Sequence, residues 1–268
     1  MMRPKCFDEL WASICFFTRI PLYRFIPNIA PDSYRNVVAY WSLIGLLTGG
    51  SLALGFGLGW FLWGSWGAAT GAVVARLVLT GALHEDGLAD CCDAFGGSHS
   101  REKTLAIMKD SHIGTYGVLG LISHFALLIC ILSQYPQYIS SRILLFLLLP
   151  FVDVASKTIV SLLHNLLPYA RAESEAKVGF SFYPLSAKEM LITSLPFLLL
   201  LLGLLLCQVD LWKVIVPSIF IGGGVFLLSV RYLKARIGGY TGDCYGGLFL
   251  LVELSIHLAM LPLATYLL

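Results

Sequence analysis

The sequence predicts an all-α polytopic membrane protein, with about seven transmembrane helices and an N-terminal interfacial helix. Two features of its composition lead to this fold class: 57% of the 268 residues are hydrophobic and only 13% are charged. A third is that the apolar residues gather in stretches long enough to cross a bilayer. Soluble domains carry about 25% charged residues. The composition therefore excludes a water-soluble globule, and its high hydrophobicity excludes a disordered chain.

The first element is predicted to be an amphipathic helix at the membrane surface, over residues 7–20. Its apolar side chains recur at helical spacing, as Leu10, Ile14 and Phe17 illustrate, but the stretch is too short to span a bilayer. Acidic residues interrupt it and no small-residue cleavage site follows, so we do not expect a signal peptide.

Seven apolar stretches follow, each of the length and composition of a spanning helix. They cover residues 37–63, 66–83, 115–133, 142–166, 189–207, 212–230 and 246–268. Only the Gly64-Ser65 turn separates the first two. The connections are too short to bury a core of their own, so residues 1–268 are predicted to form a single integral membrane domain.

The basic residues give the orientation, because Lys and Arg gather in the cytoplasmic loops of membrane proteins. With the N-terminus in the cytoplasm and the C-terminus outside, most of the 18 basic residues lie inside. These are Arg3, Lys5, Arg19, Arg24, Arg35, Arg101, Lys103, Lys109, Arg171, Lys177, Lys188, Arg231, Lys234 and Arg236. We expect a multi-pass membrane protein. The net charge of +2 is too small and scattered for a nucleic-acid partner.

Acidic residues concentrate directly after the second predicted span. If that span continues as a helix, Asp86, Asp90 and Asp93 share one face, at positions i, i+4 and i+7. Stacked carboxylates repel one another unless a cation lies between them, and Mg²⁺ prefers oxygen ligands completed by substrate phosphates. The three aspartates are therefore candidate Mg²⁺ ligands. The alternative is a solvated acidic cap on a cytoplasmic helix.

Two further polar loops lie on the same predicted side, at residues 108–117 and 238–247. They carry the candidate site residues Asp110, Ser111, Thr241, Gly242, Asp243 and Gly246. Glycine-rich loops can turn backbone N–H groups toward phosphate oxygens. The alternative is an ordinary flexible turn.

Six sequence blocks together resemble one known family over almost the whole chain. They are F-F-T-R-I-P at 16–21, W-S-L-I-G-L-L-T-G-G at 41–50, H-E-D-G-L-A-D-C-C-D at 84–93, M-K-D-S-H-I-G-T-Y-G at 108–117, Y-A-R at 169–171 and Y-T-G-D-C-Y-G-G at 240–247. The combination is similar to cobalamin-5′-phosphate synthase, also called adenosylcobinamide-GDP ribazoletransferase.

The resemblance implies a Mg²⁺-dependent enzyme of the inner membrane, with its active site facing the cytoplasm. It would join adenosylcobinamide-GDP to α-ribazole or its 5′-phosphate, release GMP and yield adenosylcobalamin or its 5′-phosphate, in the last steps of coenzyme B12 synthesis. The lipid bilayer is the expected environment, and a homo-oligomer is left open. The expected site residues are His84, Asp110 and Asp243 for catalysis, Ser111, Arg171, Thr241, Gly242 and Gly246 for substrate, and Asp86, Asp90 and Asp93 for Mg²⁺.

Other classes of function stay open at this point. A transporter would place an ion path through its intramembrane charges, here Arg76, Asp153, Lys157 and Glu253. We expect Asp153 and Lys157 to pair on their own helix, and Arg76 to face the acidic cluster. A non-catalytic membrane scaffold is a further alternative. A zinc site is another, and it would use His99 and His112 with Cys91 and Cys92.

Overall fold

A computed structural model describes residues 4–26, 29–139, 141–171 and 184–267, and in these ranges the chain is built of helices and their connections. The ten α-helices of the described ranges are α1 (Lys5–Phe17), α2 (Trp41–Thr80), α3 (Leu83–Gly97), α4 (Arg101–Ile107), α5 (Thr115–Tyr138), α6 (Arg142–Ser161), α7 (Leu163–Leu166), α8 (Ala187–Cys207), α9 (Trp212–Ile237) and α10 (Gly242–Leu267). A 3₁₀ stretch, Pro31–Tyr40, leads into α2.

Long apolar helices dominate, which confirms the predicted fold class. Six stretches of the described chain are long and apolar enough to cross a membrane. They are Pro31–Thr80, Thr115–Tyr138, Arg142–Leu166, Ala187–Cys207, Val209–Ile237 and Gly242–Ala264. The first covers both of the first two predicted spans. The count of seven crossings and the cytoplasmic N-terminus stay predictions.

Helix α2 is two arms joined by a tight turn. Trp63 and Gly64 leave helical geometry, and Gly64 has φ of +66°, in the left-handed region that favours glycine. The arms then pack closely, because a Cβ added to Gly67 would lie 2.5 Å from the carbonyl oxygen of Gly59. Small residues allow such helix contacts within a membrane. The turn predicted at Gly64-Ser65 is confirmed.

Helix α3 is separate from α2, so the second span does not continue as a helix through the acidic run. Gly81 and Ala82 both have left-handed backbone, with φ of +66° and +60°. This pair ends α2 and redirects the chain before Leu83. The acidic residues therefore belong to a distinct helix of 15 residues, Leu83–Gly97.

Helix α3 packs against α10 and α5, and α6 packs against the first arm of α2. The α2–α6 contact is again made by glycine, since a Cβ on Gly45 would lie 2.8 Å from a methyl carbon of Val154. Helix α1 contacts the Pro31–Tyr40 stretch and α2. The predicted N-terminal helix is thus confirmed as a helix and packs on the bundle.

Five charged side chains meet in the centre of the bundle, and we call them the core charge cluster. They are Arg76, Glu85, Asp153, Lys157 and Glu253, each 3% exposed or less. Arg76 contacts Glu253, lies 3.7 Å from Asp153 and lies 4.0 Å from Glu85. The Lys157 ammonium contacts Asp153, its partner one turn away, and donates to the Thr48 hydroxyl over 2.8 Å.

This cluster confirms the expected Asp153–Lys157 pair. It also identifies Glu85 as the acidic partner that Arg76 meets on α3. Charges buried in a bilayer are costly unless paired, and here each one contacts an opposite charge. Two of the basic residues predicted to lie inside, Arg3 and Lys177, fall outside the described residues.

Candidate active site

A cavity of about 260 Å³ lies where α3 and α10 begin, and we call it the aromatic cavity. Its polar lining consists of His84, Asp86, His164, Arg171 and Asp243, with Gly87, Gly242 and Gly246 between them. Its apolar and aromatic lining consists of Phe16, Phe17, Val38, Trp41, Leu83, Tyr169, Tyr240 and Tyr245. Residues from five of the six sequence blocks that carry the family resemblance thus line the cavity, and the block at 41–50 contributes only Trp41.

Two glycines set how closely α3 and α10 approach. A Cβ on Gly87 would lie 2.6 Å from the backbone oxygen of Asp243, and one on Gly246 would lie 2.8 Å from the backbone oxygen of His84. Only glycine allows this contact without a shift of backbone. Because the helices meet here, Asp86 and Asp243 line the same cavity although they are far apart in sequence.

The Asp243 carboxylate is held in place by its neighbours. The Thr241 hydroxyl donates to it over 3.3 Å, and the Arg171 guanidinium lies 4.0 Å away. The Asp243 side chain is 16% exposed, so it is shielded but open to the cavity. Thr241 is fully buried outside the cavity lining. It therefore positions Asp243, and a direct contact with substrate stays a prediction.

Arg171 reaches the cavity from the short segment that follows α7. The backbone N–H of Ala170 donates to the Tyr240 carbonyl over 2.8 Å, and that of Tyr240 donates to the Pro168 carbonyl over 3.1 Å. This pairing fixes the segment beside the start of α10. The Arg171 side chain, 4% exposed, also donates to the Leu105 carbonyl over 3.3 Å. It is a buried cation at the cavity wall.

His84 lies on the floor of the cavity within a set of aromatic rings. Its ring centroid is 5.9 Å from that of Trp41, 6.4 Å from Phe17 and 4.8 Å from Phe249. Burial, with Lys157 and Arg76 nearby, holds the pKa of His84 well below 6.5. The imidazole is therefore neutral, and neither nitrogen has a hydrogen-bond partner among the described residues.

The three candidate Mg²⁺ ligands on α3 have different surroundings. Asp86 is exposed and lines the cavity, and Asp90, one turn further along, is half-exposed. Asp93 is buried, and its two carboxylate oxygens accept the backbone N–H groups of Gly114 and Gly117 over 2.7 and 2.8 Å. Asp93 therefore caps the N-terminus of α5. Its role as a metal ligand is untested and has less support than that of Asp86.

Asp110 and Ser111 are exposed and lie outside the lining of the aromatic cavity. His112 pairs with Asp110 over 2.6 Å, and this hydrogen bond lowers the pKa of the Asp110 carboxyl. The loop is anchored at both ends beside the site. Met108 contacts the Thr241 hydroxyl at 3.6 Å, and Asp93 holds Gly114.

A second cavity, of about 820 Å³, lies on the other side of Asp86. It shares only Phe16, Leu83 and Asp86 with the lining of the aromatic cavity, and Arg19 and Phe125 are among its other wall residues. Asp86 thus stands between a small cavity and a larger one.

Comparison with known proteins agrees with these blocks. The family model described as cobalamin-5-phosphate synthase matches residues 9–261. The chain belongs to this family. Relatives named adenosylcobinamide-GDP ribazoletransferase include that of Shewanella amazonensis, 35% identical over 94% of both chains, and that of Leptothrix cholodnii, 32% identical over 92% of both. That of Desulfitobacterium hafniense is 33% identical over 95% of this chain and 97% of its own. No solved structure shows significant similarity to the chain.

The family resemblance implies Mg²⁺, and the residues at the cavity fit that ion in part. Asp86, Asp90 and Asp243 offer hard carboxylate oxygens on two helices in close contact. Within the described ranges no three His, Cys, Asp or Glu side chains gather as a complete metal site. Mg²⁺ is usually bound by one or two carboxylates plus substrate phosphates, so an incomplete protein site suits it. The same finding gives the alternative zinc site no support from the described residues.

Sequence reasoning missed the aromatic part of the site. Phe17, Trp41, Tyr169, Tyr240 and Tyr245 all line the cavity, and each falls within a block that carries the resemblance. The signal was the aromatic content of these polar blocks. The span pattern alone could not have identified them, because aromatic residues at helical spacing are usually core.

Proposed function

We propose that this protein is a transferase that joins adenosylcobinamide-GDP to α-ribazole, or to its 5′-phosphate, with release of GMP. The observation that carries the proposal is the convergence of Asp86, Asp243 and Arg171 on one cavity. The family assignment and the names of the relatives support it.

The reaction is a phosphoryl-group displacement. A ribose hydroxyl oxygen of the acceptor forms a new bond to the cobinamide-linked phosphorus. The bond from that phosphorus to the bridging oxygen of the pyrophosphate breaks, and the oxygen leaves with its electron pair as part of GMP. The hydroxyl proton must pass to a base. Such a step requires alignment of the two substrates, charge neutralisation and a proton acceptor.

The residues at the cavity match these requirements. Asp243, oriented by Thr241, accepts the hydroxyl proton. Arg171 binds phosphate oxygens of the leaving group, for which its planar fork of donors is suited. Gly242 and Gly246 leave the start of α10 without side chains, and a Cβ on Gly242 would meet open space. A phosphate can therefore approach the N–H groups at this helix end.

Asp86 and Asp90 would hold Mg²⁺ from α3, with Asp243 facing them from α10. Asp93 is a weaker candidate ligand. When bound, the ion would neutralise charge on the pyrophosphate oxygens and favour departure of GMP. Asp110 and Ser111 would contact the donor from the exposed loop, and Asp110 is the second candidate for the base. The site would face the cytoplasm at the inner membrane.

Release of GMP tests this function directly. The full chain, purified in lipid nanodiscs, is incubated with adenosylcobinamide-GDP, α-ribazole and Mg²⁺. We expect GMP release that requires both substrates, stops on addition of EDTA and returns with excess Mg²⁺. We also expect Asp90→Asn to lose turnover.

The outcomes separate the parts of the proposal. Release that persists in EDTA would contradict the Mg²⁺ assignment and leave the transferase intact. If folded protein releases no GMP with both substrates and Mg²⁺ present, the function is wrong, and the transporter and scaffold alternatives return.

A further inference from the structure

Aromatic rings make up much of the lining of the aromatic cavity. The rings of Phe17 and Trp41 are stacked at 22°, with centroids 5.5 Å apart, and His84 stacks on both at 6° and 27°. Tyr245 meets Trp41 edge-on at 70°. Ring faces bind planar heterocycles by stacking, whichever atoms the heterocycle carries at its edge.

Three of these aromatic residues also carry buried polar atoms with no hydrogen-bond partner among the described residues. They are Nε1 of Trp41, both ring nitrogens of His84 and the hydroxyl of Tyr245. The three residues are 0%, 2% and 9% exposed, and all line the cavity. Buried polar groups without partners are costly, so such groups in one cavity indicate a ligand that carries at least one hydrogen-bonding atom.

The size of the cavity limits what that ligand can be. At about 260 Å³ it is smaller than a usual site for a drug-sized molecule, which is roughly 300–1,000 Å³. A heterocyclic base fits, and a four-pyrrole corrin ring does not. The cavity of about 820 Å³ beyond Asp86 offers the larger space that the donor needs.

Resting on the proposed function, we propose that the aromatic cavity binds the planar base of the acceptor nucleoside, with His84 donating a hydrogen bond to the free ring nitrogen of that base. The His84 imidazole carries at least one N–H, which matches a benzimidazole, whose nucleoside keeps one acceptor nitrogen in an otherwise apolar ring system. The ribose then lies toward the rim, where Asp243 and Asp86 line the cavity.

The guanine of the donor is the other planar base in this reaction. Guanine presents two donors and an acceptor along one edge, and it needs several polar partners when buried. Much of the cavity lining is carbon of Phe16, Phe17, Val38 and Leu83, which suits the less polar benzimidazole. We therefore assign the cavity to the base of the acceptor. Competition with GMP tests the alternative, that the cavity binds the guanine of the donor.

Two variants separate stacking and hydrogen bonding at this site from general damage. His84→Phe keeps an aromatic ring and removes both nitrogens, and Tyr245→Phe removes only the hydroxyl. The matched control is Trp212→Phe, since Trp212 is half-exposed at the start of α9 and is absent from the lining of both cavities. Binding of α-ribazole to the full chain in nanodiscs is measured by equilibrium dialysis, with GMP as competitor.

We expect wild type to bind α-ribazole at one site and GMP not to displace it. His84→Phe should weaken α-ribazole binding and raise the acceptor KM by about tenfold, with the donor KM unchanged. Tyr245→Phe should weaken binding less, and Trp212→Phe should match wild type.

Two results would overturn the assignment. One is α-ribazole binding to His84→Phe that equals wild type. The other is a rise in the donor KM alone, with displacement of α-ribazole by GMP, which would assign the cavity to guanine. GMP release by wild type is measured in parallel, so failure of this inference is distinguished from failure of the proposed function.

Discussion

Two groups of charged residues lie on opposite sides of one aromatic layer, and they differ in how their charges are paired. On the inner side, Arg76, Asp153 and Lys157 belong to the core charge cluster, in which every member contacts an opposite charge. On the cavity side, Asp86 is exposed and Asp243 has its nearest cation at 4.0 Å. Trp41, His84 and Phe249 separate the two groups, with the Lys157 ammonium 4.0 Å from the Phe249 ring centroid.

The difference between the groups lies in accessibility as well as in charge. The core charge cluster ties α2, α3, α6 and α10 together, and Glu85 is the one member of it that lines either of the two cavities. The residues at the cavity are held by neighbours and are still open to a ligand. Between these two groups, contact with the aromatic cavity is therefore the sign of chemistry, and close mutual pairing is the sign of structure. The transporter alternative loses its main support, because Arg76, Asp153, Lys157 and Glu253 pair with one another and line neither of the two cavities.

The largest expected effect is a loss of turnover when a charged residue at the aromatic cavity is replaced. Asp243→Asn keeps the shape of the side chain and an acceptor for the Thr241 hydroxyl, but it removes the proposed base. We expect kcat for GMP release to fall by about 100-fold or more, with little change in thermal unfolding.

Asp210→Asn is the matched control for this change. Asp210 is exposed and pairs with Lys213 near the start of α9, away from both cavities. Its kcat should equal that of wild type. A kcat near wild type for Asp243→Asn itself would remove Asp243 from the mechanism and leave Asp110 as the candidate base.

An intermediate effect, a loss of stability, is expected when a residue of the core charge cluster is replaced. Asp153→Asn leaves the Lys157 ammonium, fully buried, without the carboxylate it contacts. Removing one partner of a buried pair costs about 3–5 kcal/mol. The free energy of unfolding in nanodiscs should fall by about 3 kcal/mol, while turnover at low temperature stays close to wild type. Unchanged stability would show that the cluster does not hold the bundle together.

The smallest expected effect is a pH dependence that originates in the layer between the two groups. The pKa of folded His84 is held well below 6.5, so as the pH falls below 6.5 the unfolded chain takes up a proton that the folded chain does not. The contribution of His84 to the free energy of unfolding is therefore fully present above pH 6.5. It declines below that pH, by at most about 1.4 kcal/mol per pH unit. His84→Phe should show a shallower decline in acid-unfolding curves. Parallel curves for the two proteins would mean that folded His84 takes up the proton as readily as the unfolded chain does.

Much of the fold could be predicted from the sequence because hydrophobic length and charge bias act locally. The spans, the turn at Gly64 and the N-terminal helix all depend on short stretches of chain. The end of α2 is marked by Gly81, a usual helix-ending residue, but the sharp turn into a separate α3 could not be predicted in this way. It depends on Ala82, which adopts left-handed backbone that its residue type disfavours.

The residues of the candidate site could be predicted from the sequence, but the residues that they contact were harder to predict. The spacing of Asp86, Asp90 and Asp93 places them on one helix, but it does not reveal that Asp93 meets the start of α5. Likewise, Arg76 was expected to face the acidic cluster, and its contact there is Glu85. These outcomes depend on packing between distant segments, which periodicity does not encode.

The aromatic cavity is the clearest case of such long-range assembly. Phe17, Trp41, His84 and Tyr245 come from four separate helices, and their function as one wall follows only from the fold. The sequence motifs identified these four residues but not their arrangement in space.

The central claim is that the cavity charges perform the chemistry and the core charges hold the bundle. The most direct test is kcat for GMP release by Asp243→Asn and Asp153→Asn, measured side by side at a temperature at which circular dichroism shows both proteins folded. We expect Asp243→Asn to lose turnover and Asp153→Asn to retain it. Loss of turnover in Asp153→Asn, with retention in Asp243→Asn, would contradict it.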